Sequence, residues 1–476
     1  MKWTIIGGLT LSGLFELLID VPQVEQSMPV TCRLLSSNLA DEADVKIGGV
    51  AVPAGGNWFI RDKEQTVTLT PKSGSPLAGL PVTLTCAIKT GLDPVNVVSA
   101  PAFNTEQTTH SWKVTGKTKS GTFQLSLSGK GMTTPITVAI SKLVSSNLAD
   151  EADVKIGGVA VPAGGNWFIR DKEQTVTLTP KSGSTLAGLP VTLTCAIKTG
   201  LDPVNVVSAP AFNTEQTTHS WKVTGKTKSG TFQLSVLGKG MTTPITVAIS
   251  KLVSNNLADE ADVKIGGVAV PAGGNWFFHD EAQTVTLIPK SNSPLAGLPI
   301  TLSSSFSGHP NWLLSMPDFW SEQINYNWSV KGQQESFTFD LILAGKGMST
   351  PIVFPGSLVS RNLNRTIHHV YADGKYCEYP WREISLKKGK INYLHIGIKN
   401  GVPLRHKGFT LIRVDPTAPI PSVSPDFGRR VEVVDGQISG VLTWAFNVAS
   451  SGVVPFEIEI CCVDVASKRR ILCQVV

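Results

Sequence analysis

The chain has 476 residues, 16% of them charged and 41% apolar, with a net charge of +6. That length exceeds one compact core and suits several domains of about 100 residues, and no apolar run of about 18 residues is present to cross a membrane as a helix. Residues 359–476 carry the whole excess, 16 Lys and Arg against 10 Asp and Glu. A neutral stretch followed by a basic end suggests a spacer followed by a contact module, or simply a solvated basic surface.

At the start, Met1-Lys2 and the apolar residues after them could be read as a secretion signal. However, Trp3 precedes Asn38 by the same interval that separates Trp112 from Asn147, and Ser12-Gly13-Leu14-Phe15-Glu16-Leu17 is similar to Ser120-Gly121-Thr122-Phe123-Gln124-Leu125. Residues 1–34 are therefore expected to be the closing half of a domain whose kind recurs downstream.

From Ser36 the string SSNLADEADVKIGGVAVPAGGNWFIRDKEQTVTLTPKSGS begins; it returns at Ser145, and its first half returns at Ser254. Asn38, Asn147 and Asn256 mark a 109-residue period. The first two copies differ at three positions, Pro76 against Thr185, Leu127 against Val236 and Ser128 against Leu237; the third diverges after Leu302. Repeats are expected over 35–143, 144–252 and 253–358, and a divergent, basic fourth domain over 359–476. In that fourth unit, Gly401 to Leu411 aligns with Gly74 to Leu84. Leu442, Trp444 and Phe446 align with Phe123, Leu125 and Leu127, and Pro455 to Ile460 with Pro135 to Ile140.

Each repeat shows period-two alternation, the mark of strands with one buried face. Val82, Leu84, Cys86 and Ile88 share a face, as do Val67 with Leu69, Trp112 with Val114, Phe123 with Leu125 and Leu127, and Ile136 with Val138 and Ile140. Six or seven such strands per hundred residues, separated by Gly- and Pro-rich turns, predict an all-β chain of tandem immunoglobulin-like β-sandwich domains in a linear array. Seven cysteines, one per repeat in the first two copies, cannot staple each repeat. Cys86 and Cys195 read as small core residues, with Ser304 in their place in the third copy.

The segments Pro76 to Leu84 (PLAGLPVTL), Thr185 to Leu193 (TLAGLPVTL) and Pro294 to Leu302 (PLAGLPITL) resemble those of bacterial immunoglobulin-like repeats of the invasin and intimin kind. The resemblance covers residues 35–476 and implies stalk domains of an extracellular or cell-surface bacterial adhesin, holding a binding module toward a protein or glycan on another surface. The chain departs from that family in lacking a recognisable anchoring barrel or lectin-like tip. An alternative is an immunoglobulin-like interaction module of a secreted toxin or phage particle.

No catalytic motif is present, so no enzyme activity and no catalytic residue is expected; Glu378 and Glu383 are the sole carboxylate pair worth testing for glycosidase chemistry. His368 and His369 are expected on opposite faces of a strand. The acidic cluster recurs as Asp41, Glu42, Asp44; Asp150, Glu151, Asp153; and Asp259, Glu260, Asp262. Each copy opens a repeat, where carboxylates could hold a stiffening calcium ion at a domain junction or form a solvated turn; no other cofactor is expected. Candidate contact residues are Trp312, Phe319, Trp320 and Tyr326 in the aromatic insertion of the third repeat. In the last domain they are Tyr379, Trp381, Arg382, Lys387 and Lys388, a mixture of rings and cations suited to anionic surfaces. Nothing in it specifies a nucleic-acid sequence.

Overall fold

The computed structural model describes residues 5–6, 11–19, 27–305, 312–333, 337–360, 362–399, 408–417, 419–433, 439–462 and 467–476. They divide into two compact units, Met1–Leu252 and Val253–Val476. The chain is all-β.

In the first unit, strands Gly13–Ile19 and Met28–Leu34 form an antiparallel hairpin, in register from Gly13 opposite Leu34 to Ile19 opposite Met28. The first full repeat is a two-sheet sandwich. One sheet runs Val50–Ala51, Ala43–Ile47, Glu64–Pro71, Ser111–Gly116, Val97–Ala100; the other runs Trp58–Ile60, Ser141–Val144, Gly121–Gly129, Val82–Thr90, Glu106–Gln107. Alternation explains both: Val67, Leu69, Trp112 and Val114 face inward from the first sheet and Leu84, Phe123, Leu125 and Leu127 from the second, all nearly or fully buried. Phe59 meets Phe123 edge-on, centroids 5.0 Å apart. The second repeat copies this order strand for strand.

The closing of the first two repeats differs from the alternation reading. Ile136 and Thr137 make only a short strand, and Ile140 is exposed rather than inward. The chain then re-enters the sheet as Ser141–Val144, pairing parallel with Trp58–Ile60. Gly56 makes this possible: it sits at φ +85°, and a Cβ there would lie 1.9 Å from the Ile140 carbonyl oxygen.

The second unit holds the third repeat and the last domain. In the last domain one sheet runs Lys375–Cys377, Ile367–Ala372, Lys390–Lys399, Ser439–Val448, Ser422–Ser424; the other runs Glu383–Leu386, Arg469–Val475, Phe456–Cys462, Phe409–Arg413, Arg430–Val431. This order corrects the alignment of the fourth unit by one strand. Ser439–Val448 occupies the place of Ser111–Gly116, not of Gly121–Gly129, and Phe456–Cys462 takes the Gly121–Gly129 place. The register shows why: Trp444 stands opposite Leu394 as Trp112 stands opposite Val67. Four tryptophans, Trp112, Trp221, Trp328 and Trp444, thus fill the same fully buried position. The aligned residues Gly401 to Leu404 lie outside the described residues. All seven cysteines are free thiols; burial pushes Cys86 and Cys195 up to about 11, as befits packed side chains.

The close crossing at the glycine yields a paired test in the second repeat. Gly165, at φ +84° and 1.9 Å from the Ile249 oxygen by its absent Cβ, has a neighbour, Gly164, with nothing within 4 Å. Gly165→Ala is expected to destabilise the repeat by about 1–3 kcal/mol, whereas Gly164→Ala stays within about 0.5 kcal/mol, both read by urea denaturation.

Candidate functional site

The acidic clusters form a one-turn helix at the head of each repeat. Asn38 caps Leu39–Glu42 by accepting from the Ala40 N–H (3.2 Å), and the Ser36 hydroxyl donates to Asp41 (2.7 Å). Asp44, by contrast, is exposed and lies 3.9 Å from Lys72. Glu42 is buried and accepts from the Ser36 N–H (2.7 Å) and from the hydroxyls of Ser75 and Ser12. The second copy repeats the set: Glu151 accepts from the Ser145 N–H (2.6 Å), the Ser184 hydroxyl (2.6 Å) and the Ser120 hydroxyl, with Arg61 3.7 Å away. Asp150 accepts from Ser145 (2.7 Å), and Asp153 lies 3.7 Å from Lys181. In the third, Glu260 accepts from Ser254 N–H and Ser293, Asp259 from Ser254, and Asp262 lies 3.9 Å from Lys290. A calcium ion at any copy would have to displace these donors.

Ser12 precedes the first repeat and Ser120 belongs to it, so Glu42 and Glu151 each tie a repeat to the segment before it. Arg33 donates to the Ala78 carbonyl as Lys142 donates to the Ala187 carbonyl (2.8 Å). Ile60 and Val144 complete the seam by joining the apolar core of the second repeat, with Trp58 packed against it.

The aromatic residues of the third repeat separate. Tyr326 is a core residue: it is buried and its hydroxyl donates to the carbonyls of Leu295 (2.6 Å) and Leu298 (2.9 Å). It replaces His110 and His219, whose Nε2 atoms meet Leu80 and Leu189 oxygens at 2.7 Å; burial pushes its pKa up to about 12. Trp312 is half-buried against Phe337, centroids 6.1 Å apart, and Phe319 is half-buried too. Trp320 remains exposed at 71%, at φ +68°, where the first two copies place Asn104 and Asn213. Residues 308–311 of the aromatic segment lie outside the described residues; between Leu302 and Trp320 this segment is two residues shorter than its counterpart from Leu84 to Asn104. Packing of this repeat against the last domain's core is done instead by Trp276 and Phe278.

In the last domain the structure joins Tyr379, Trp381 and Arg382 and adds Arg469, the middle residue of the run Lys468-Arg469-Arg470. Strand Glu383–Leu386 runs parallel to Arg469–Val475, which brings Arg469 over the Trp381 ring, 5.9 Å from its centroid. Tyr379 is 64% exposed and meets Trp381 edge-on at 5.2 Å, while Trp381 itself is buried as the floor. Arg469 keeps Nε and one terminal nitrogen without a hydrogen-bond partner. Lys468 and Arg470 are engaged by Glu459 at 3.3 and 2.7 Å. Arg382, Lys468, Arg469 and Arg470 line an open depression with Glu457, Glu459 and Leu472. Lys387 and Lys388 are not part of it: they follow the far end of Glu383–Leu386, Lys387 paired with Asp373 at 3.3 Å. Glu378 and Glu383 are both exposed.

The expectation that His368 and His369 face opposite sides of a strand is overturned. A register shift between Ile367 and His369 bulges the strand, so both imidazoles stand side by side, Nδ1 to Nδ1 2.8 Å.

No family model matches the chain, and no curated protein sequence matches it significantly. Among solved structures it is similar to FdeC, an Escherichia coli adhesin, at 16% identity over 68% of this chain and 98% of that one (TM-score 0.33). It is also similar to a 282-residue C-terminal fragment of intimin in complex with the intimin-binding domain of its translocated receptor, at 14% identity over 44% and 63% (TM-score 0.25). A third likeness is to an endo-fucoidan hydrolase of glycoside hydrolase family 107, at 10% identity over 70% and 45% (TM-score 0.22). Scores of this size carry no function from those proteins to this chain. Among the described residues no helix is long and apolar enough to cross a membrane.

The seam makes a pH prediction. Burial pushes the Glu42 carboxyl up, but hydrogen bonds from Ser12, Ser75 and the Ser36 N–H outweigh it and hold the group below its ordinary value. A carboxylate depressed in the folded state stabilises that state above its unfolded pKa and loses the contribution as pH falls through the folded one. Below the ordinary carboxylate pKa of about 4.3, the melting midpoint of the wild type is expected to fall more steeply than that of Glu42→Gln. Parallel curves would reject the assignment. Calcium or chelator is expected to leave both curves in place.

Proposed function

We propose that the chain is a non-enzymatic adhesive protein of a bacterial surface or its exterior. The near-identical repeats set the length of a spacer, and the last domain makes contact with anionic groups on a cell-surface protein or glycan. What carries the reading is the seam: the same donors, Ser12 and Ser120, meet the same buried acceptors, Glu42 and Glu151, one period apart. A unit whose ends are interchangeable can be added or lost without touching any binding chemistry. The resemblance of the PLAGLPVTL segments to invasin- and intimin-type repeats supports the same conclusion.

The contact chemistry belongs to the Tyr379, Trp381, Arg382 and Arg469 corner. Exposed Arg382 and half-buried Arg469, the latter over the Trp381 indole, put two guanidinium groups beside one depression where a carboxylate or sulfate could be received.

Deleting residues 145–253 joins Val144 to Ser254, the same seam as in the intact chain. This deletion is expected to leave affinity for immobilised heparin unchanged. Arg382→Ala with Arg469→Ala should weaken it at least about tenfold and reduce its salt dependence. Loss of binding on deletion, or full binding by the double variant, would sink the division between spacer and contact domain.

A further inference from the structure

The outward face of one sheet in the last domain is unlike the same face in every repeat. In the first repeat that face carries Asp44 and Lys46, then Glu64, Thr66, Thr68 and Thr70, then Ser111, Lys113 and Thr115, with a Lys113–Glu64 ion pair at 3.0 Å. The equivalent strands of the last domain present His369 and Tyr371 on Ile367–Ala372, and Ile391, Tyr393 and His395 on Lys390–Lys399. The edge strand Lys375–Cys377 adds Tyr376.

These rings form a continuous ladder. His369 meets Tyr371 at 5.1 Å and Tyr371 meets Tyr376 at 5.5 Å, both edge-on. Tyr371 lies opposite His395 across the strands, and Tyr393 stacks on His395 at 6.1 Å with planes 12° apart. Gly397 leaves the room that the His369 ring occupies: a Cβ there would lie 2.2 Å from it. Tyr376, Ile391 and Tyr393 are 50%, 54% and 46% exposed. Beside the rings stand Thr443, whose hydroxyl pairs with His395 Nδ1 at 2.9 Å, then Ala445 and Asn447.

Folding does not require this face, since the repeats build the same sandwich with threonine and lysine in its place. Among the described side chains on this face of these strands, none is Asp, Glu, Lys or Arg. The described part of the face offers a polyanion no lysine or arginine, and an apolar protein surface would find little aliphatic area on it. Flat rings interspersed with imidazole, hydroxyl and amide groups match one chemistry, a neutral sugar ring. Its C–H face packs on tyrosine while its hydroxyls exchange hydrogen bonds with the polar groups at the rim.

We infer that this sheet face is a platform for a neutral saccharide chain, separate from the arginine corner. The inference rests on the adhesive reading above and specifies a second ligand class for the contact domain. The test is calorimetric titration of the full chain with neutral hexasaccharides of glucose, galactose, mannose and N-acetylglucosamine. Binding of at least one is expected, weakened at least about tenfold by Tyr371→Thr with Tyr393→Thr, and unchanged in Arg382→Ala. The repeats carry threonine at the Tyr393 position and lysine at the Tyr371 position, so polar residues are accommodated at both and the melting midpoint should hold; Tyr376→Ser on the edge strand gives an independent second reading. No binding of any hexasaccharide, or binding untouched by these variants, overturns the platform. If heparin binding persists in that case, the adhesive reading survives it. If cell attachment is lost in the tyrosine variants while no hexasaccharide binds, the face serves a protein and the saccharide inference falls.

Discussion

The parallel pairing of Trp58–Ile60 with Ser141–Val144 governs the arrangement of the first unit. A sandwich built only of hairpins would release its chain at an arbitrary edge. Here the exit strand is clamped beside an entry strand, so the chain leaves the first repeat where Ile60 and Val144 also reach the core of the second. Two apolar side chains and one buried carboxylate then do what a linker would do in a looser array. The cost is local: a glycine at positive φ with no space for a Cβ, and a carboxylate taken out of water, which stays charged because three donors meet it.

Much of the inward-facing set was legible in the sequence, because period-two alternation on a half-buried sheet leaves few choices. Val67, Leu69, Leu84, Trp112, Val114, Phe123 and Leu125 fall where the pattern puts them. What alternation cannot supply is strand identity. Leu442, Trp444 and Phe446 have the parity of Phe123, Leu125 and Leu127 and also that of Trp112 and Val114, and only cross-strand register separates the two. Aligning on the buried tryptophan instead of on Ser-Gly would have placed the strand correctly.

The contact residues were less legible, for reasons of distance and irregularity. Arg469 is far from Trp381 along the chain and meets it only because two strands run parallel. Tyr326 was misread as a contact group because it follows an aromatic run of which Trp320 alone proves exposed among the candidates; the histidines in the matching positions of the first two repeats were the available signal that this site is a plugged core position. A bulge, which no alternation rule foresees, set His368 beside His369. The tyrosines and histidines of the sheet face were visible as residue types, but not as one ladder.

The near-identity of neighbouring copies also bears on how the chain reaches its native pairing. Gly121–Gly129 and Gly230–Gly238 differ at two positions, and Val82–Thr90 is identical to Val191–Thr199. Side-chain chemistry therefore barely distinguishes a strand's own partner from its neighbour's, and adjacent copies of this kind are prone to exchanging strands. What separates right from wrong is loop closure: the native partner is the nearer along the chain and entropically the cheaper to reach. Emergence from the ribosome in order, one copy completed before its twin is available, reinforces that bias and guards the array against scrambling.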